Sequence, residues 1–156
     1  MTSDFNNLLI RLGELATERK LQRDEKSKEA QTAADRRRAT VLAFNDLQTP
    51  FLTICRQKNE LLSQKEWRLE AEPIGNNDRA IGSLVARLYE SSQTFHEVSD
   101  PSTLGFHFLE LGGVEAVLWP PNPSIECHEM FEPETVNSAL FDEWIDRLLK
   151  LQLARG

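Results

Sequence analysis

Residues 67–72, Trp-Arg-Leu-Glu-Ala-Glu, decide how this chain is read. Trp67, Leu69 and Ala71 alternate with Arg68, Glu70 and Glu72, a period of two that gives a half-buried strand one apolar and one charged face. Upstream the pattern differs. From Asp4 to Glu66 there is one Pro and one Gly, and Glu, Lys, Arg, Gln, Ala and Leu dominate, all good helix formers. The change of period after Glu66 divides the chain into an extended helical arm, 1–66, and a head, 67–156.

Downstream of the first strand, Gly75-Asn76-Asn77-Asp78 supplies a turn. Residues 79–92 fit either a helix capped by Asp78, with Ile81, Leu84, Val85 and Leu88 on one side, or a second strand; Gly82, Val85 and Tyr89 favour the strand. A short strand over Thr94–Val98 follows, closed by Asp100-Pro101. From Thr103 to Leu111 apolar residues occupy both faces, as in a central strand. Gly112-Gly113 is a two-residue hairpin signal, and Val114–Trp119 returns beside it. Pro120, Pro121 and Pro123 interrupt the sheet, Ile125–Phe131 can add an edge strand, and Pro133 with Glu134 opens a terminal helix. Val136, Leu140, Trp144, Leu148 and Leu151 give that helix a wide apolar face. The expected fold is α+β: a long N-terminal helix kinked or broken near Pro50, an antiparallel meander of four to six strands, and an amphipathic C-terminal helix.

Within the arm, Phe5, Leu8, Leu12 and Leu15 recur at three, four and three residues, the seam of a coiled coil or of a helix lying on a core. The seam then fades, since Leu21 is the only large apolar residue between Ala16 and Thr40. From Val41 a stripe of large residues returns with Phe44, Phe51, Leu61 and Leu62, so this part packs against something. A helix of this length would span roughly 90 Å, whereas a compact head of this size has a radius of gyration of about 12 Å. With no turn signal between Leu15 and Phe44, projection or dimerisation is expected.

The chain has 156 residues and a net charge of −7, 40% hydrophobic and 28% charged, with 7 Gly and 7 Pro. That excludes collagen-like, low-complexity and wholly disordered readings. No stretch is long and apolar enough for a membrane span, and nothing at the N-terminus reads as a signal peptide. Cys55 and Cys127 form neither a disulfide framework nor a metal knuckle and read as free thiols. The cytoplasm is the expected compartment. Residues 1–66 carry 12 Lys and Arg against 10 Asp and Glu, so +2, and residues 67–156 carry 6 against 15, so −9. The acidic half is unsuited to nucleic acid, which needs clustered Lys and Arg.

No phosphate loop, dinucleotide fingerprint, HExxH, CxxC, EF-hand or nucleophile elbow appears. His96, His107 and His128 with Cys127 and Glu97 or Glu129 could assemble a metal site, but their spacings match no ligand pattern. His107 reads instead as a hydrogen-bonded or sheet-face histidine. Glu126, Glu129, Glu132 and Glu134 read as solvated. Arg36, Arg37 and Arg38 are the one basic cluster, spread over about 200° of helix, and suit an acidic protein surface such as a second copy of the chain.

The function expected from these features is a non-enzymatic interaction or assembly module. It self-associates or binds a partner helix through Phe5, Leu8, Leu12 and Leu15, with Arg36–Arg38 as an electrostatic contact. It needs no cofactor and no metal, and its partner is a protein or itself, with neither nucleic acid nor membrane. The alternative is a small ligand- or metal-binding α+β domain, catalytic or not, with a pocket between sheet and C-terminal helix built from His107, Cys127, His128 and Glu129.

Overall fold

The computed structural model describes residues 2–77, 79–93 and 100–156; the strand expected over 94–98, and the His96 and Glu97 candidates, lie outside them. The architecture is α+β. Helix α1 (Thr2–Leu62) is followed by strands β1 (Trp67–Ile74), β2 (Ala80–Glu90), β3 (Ser102–Leu109), β4 (Val114–Trp119) and β5 (His128–Phe131), then helix α2 (Ser138–Arg155). The strands form one antiparallel sheet in the order β1-β2-β3-β4-β5, a meander with β3 at its centre.

α1 is continuous through Pro50, so of the kink or break expected there the break does not occur. Proline has no N–H to give the carbonyl four residues back, but a helix packed on a sheet keeps its other bonds. After a short 3-10 turn, Ser63–Lys65, Glu66 takes a left-handed conformation (φ 63°) and its N–H closes on the Ser63 carbonyl. This residue turns the chain out of the helix and into β1.

Contacts group the chain into two units, Met1–Asp35 and Arg36–Gly156. The division therefore falls within α1 and not at the change of period after Glu66. The reason is the second stripe of large residues: Phe51 is fully buried between Phe106 of β3 and Phe141 of α2, at ring-centroid distances of 6.1 and 5.2 Å. Phe44 packs on Phe108 at 5.3 Å, and Gly82 of β2 leaves room for its ring, since a Cβ there would overlap it. Residues 36–62 are thus part of the core that covers one face of the sheet, with α2 beside them. Leu84, Ala86, Leu88, Leu104, Phe106, Phe108, Val114, Ala116 and Leu118 point into this layer, as strand alternation requires.

Asn59 of α1 completes the sheet in another way. Its amide nitrogen donates to the Leu69 carbonyl and its amide oxygen accepts from the Leu69 N–H, each at 2.6 Å. β1 is an edge strand, and Asn59 occupies its outward-facing backbone groups where another strand would pair.

Three boundaries differ from the sequence reading. The β3–β4 turn includes Glu110 and Leu111 as well as Gly112 and Gly113, whose φ values of 98° and 91° need glycine. β5 is only four residues long, because Asn122 and Ile125 close a turn ahead of it. α2 opens at Ser138, not Pro133: Pro133–Thr135 is a separate 3-10 turn, Val136 is extended, and Asn137 is the cap, its side chain accepting from the Leu140 N–H at 3.0 Å.

Candidate functional site

In the first unit, Phe5, Leu8, Leu12 and Leu15 lie on one α1 face and are 42–62% exposed. The face is wider than the four-residue seam. At 100° per residue, Leu9 and Ala16 fall beside them, and the six residues cover an arc of about 120°. Ile10 and Leu21, also exposed, lie on other sides. One turn further on, the same face becomes basic: Arg19, Gln22, Arg23 and Lys26 line a common surface. Both extensions are legible in the sequence once a helical wheel is drawn over residues 5–26.

The arginine cluster behaves differently. Arg37 Nε donates to Glu110 Oε1 at 3.0 Å, so this cation is held by the β3–β4 turn. Arg36 packs its stem on Gly112, where a side chain would meet Arg36 Cβ at 3.2 Å. Arg38 also has a partner. At least one of the three charges is therefore used within the second unit.

The metal and catalytic candidates fall on opposite faces of the sheet. His107 and His128 are on the face away from α2, while Glu129 lies near Arg147 of α2 at 3.7 Å. Arg147 also binds Glu143 at 2.8 Å and stacks over Trp144 at 4.4 Å. The space where a pocket was expected, between sheet and α2, is filled by Phe106, Phe141 and Trp144, with centroids 5.0 and 6.2 Å apart. Cys127 is engaged by the turn before β5, its sulfur accepting from the Asn122 N–H at 3.4 Å. Burial pushes the Cys55 thiol up to about 12, so it stays protonated and inert. Among the described residues, no group of three or more His, Cys, Asp or Glu is placed to hold a metal ion.

On the outer face a polar row crosses four strands. Ser83 Oγ of β2 and His107 Nδ1 of β3 share a hydrogen bond of 2.7 Å. Glu115 of β4 stands opposite His107, and its Oε2 lies 3.3 Å from His128 Nε2 of β5. The His107 ring lies over Gly105, whose missing side chain gives it space. Burial lowers the His107 pKa below its ordinary 6.5; Glu115 pulls it up and Arg79 pushes it down. Serine, histidine and glutamate in series invite comparison with a nucleophile, base and orienting acid. The geometry does not serve that chemistry, because Ser83 is only 2% exposed and Glu115 turns to His128. Beside the row is an open depression of about 420 Å³, lined by Asn77, Arg79, His107, Leu109, Glu115 and Val117. Asn77 uses its side-chain oxygen to accept the Arg79 and Ala80 N–H groups and so closes the β1–β2 turn. Sequence reading missed Ser83, Glu115 and Arg79 here, because their approach depends on strand register.

Compared with known proteins, the chain matches no family model, no curated protein and no solved structure. No helix among the described residues is long and apolar enough to cross a membrane.

Proposed function

We propose that this chain is an assembly module that self-associates through the first turns of α1, with no catalytic role. The observation that carries the reading is the stripe of Phe5, Leu8, Leu9, Leu12 and Leu15, each side chain at least 42% exposed. A contiguous apolar stripe on a helix is costly in water and marks a surface made to be covered. The 3-4-3 spacing suits another helix as its cover. The unpaired thiols of Cys55 and Cys127 suit the cytoplasm, where disulfides are rare. Two other polar groups have uses within the second unit: Ser83 and His107 share a part-buried hydrogen bond across the sheet, and Arg37 is tied to Glu110.

Light scattering on a sizing column tests this. The wild-type chain is expected to elute above monomer mass in a concentration-dependent way. Leu8→Asp with Leu12→Asp reduces it to the monomer and leaves the thermal unfolding of the Arg36–Gly156 unit unchanged. A wild-type chain that is monomeric at all concentrations overturns the proposal.

A further inference from the structure

Resting on that reading, we infer that the partner is a second copy of this chain, with the two α1 segments parallel and in register as a two-stranded coiled coil. The charges that flank the apolar stripe set this orientation. With Phe5 and Leu12 at position a and Leu8 and Leu15 at position d of the heptad, Asp4, Arg11 and Glu18 fall at g, and Leu9, Ala16 and Arg23 at e.

In a parallel, in-register pair, each g residue faces the e residue five positions on in the other copy. Asp4 then meets Leu9, Arg11 meets Ala16, and Glu18 meets Arg23. The first two are neutral, and the third is an attractive pair made twice by symmetry. An antiparallel pair that superposes the same apolar residues, Phe5 on Leu15 and Leu8 on Leu12, instead brings g against g. Arg11 then faces Arg11, and Asp4 faces Glu18 at both ends. Every charged contact in that arrangement is repulsive. Like charges across such a seam oppose association, whereas opposite ones set orientation more than strength.

The residues that follow the stripe limit its length and its number of strands. Arg19 and Lys26 continue the a positions, and Arg19, Gln22, Arg23 and Lys26 form one exposed surface. In the parallel pair Arg19 and Lys26 each face their own counterpart, a like-charge contact that drives these side chains sideways to water and stops the packed seam, at some loss of stability. The apolar seam thus ends after Leu15, and the Glu18–Arg23 pairs close it. Such a short seam associates weakly, so the two copies exchange.

Disulfide trapping in the full chain tests the orientation, with Cys127→Ser to remove the partly exposed native thiol. Phe5→Cys alone and Leu15→Cys alone are each expected to give disulfide-linked dimers under mild oxidation. Crosslinking only when both cysteines are present in one chain means an antiparallel seam and overturns the inference. Charge reversal gives a second readout at low salt. Glu18→Arg is expected to weaken the dimer about tenfold, and adding Arg23→Glu restores it. A dimer indifferent to both changes also overturns the inference while leaving self-association standing. A monomeric wild-type chain overturns self-association itself, and the two failures are told apart by mass.

Discussion

His107 illustrates how one side chain depends on three strands. Its ring lies over Gly105 of its own strand, takes a hydrogen bond from or gives one to Ser83 of β2, and feels Glu115 of β4. Burial holds its pKa below 6.5, so the folded protein binds a proton here less readily than the unfolded chain does. The stability from this site is complete above about 6.5, the unfolded value, and is lost as pH falls through the lower folded value. Urea midpoints measured between pH 7.5 and 5 are expected to fall for the wild type, and His107→Gln flattens the part of the curve just below pH 6.5. A wild-type midpoint that rises on acidification excludes this account. That His107 was a hydrogen-bonded or sheet-face residue was legible from the apolar residues on both sides of it; that it is both was not. Its partner was not, because Ser83 reaches it through a register that shifts between Ala80 and Gly82, a long-range property with no local signature.

At the scale of elements, the two periods of the sequence carried most of the fold. Alternation over Trp67–Ala71 and 3.6-residue spacing over Val136–Leu151 reflect one-sided burial, and each element buries the side its pattern indicated. The ends were less legible. Pro133 is a proper opening residue for a helix, but the extended Val136 places the real start at the Asn137 cap. Asn59 was invisible in advance, since a polar residue on a helix reads as surface until the strand beside it is known. Its two hydrogen bonds to Leu69 make a firm prediction. Asn59→Ala leaves an N–H and a carbonyl of β1 without their partner and is expected to cost about 1–3 kcal/mol in urea unfolding. It also opens the edge strand, so light scattering of concentrated protein should rise. Unaltered stability excludes a structural role for this amide.

At the scale of the whole molecule, the division of α1 between two units has a direct test. Residues 36–156 retain Phe44, Phe51 and Cys55, the helical side of the core, and are expected to fold as a monomer with the midpoint of the full chain. Residues 67–156, cut where the sequence changes period, lose that layer and expose the sheet face built around Phe106. Removing one buried Phe alone costs about 3–5 kcal/mol, comparable with the stability of a small domain, so this fragment is expected to be unfolded by circular dichroism. A folded 67–156 fragment contradicts the assignment of residues 36–62 to the core. The apolar stripe from Val41 was visible in the sequence, but what it covered was not, because helix spacing says which side is buried and not against what.

The meander order of the sheet also bears on the sequence of events when the chain is made. Each strand pairs with the one synthesised just before it, so hairpins can add one after another with little loop to close. The layer that seals their apolar face is different, for Trp144, Ile145 and Leu148 belong to α2, which emerges only after all five strands. Until then Phe106 and its neighbours have only α1 for cover. Chains stopped short of residue 138 should therefore be the species that aggregate, while the apolar stripe of α1 emerges long before the sheet is closed, early enough for the pairing proposed above to begin between neighbouring nascent chains.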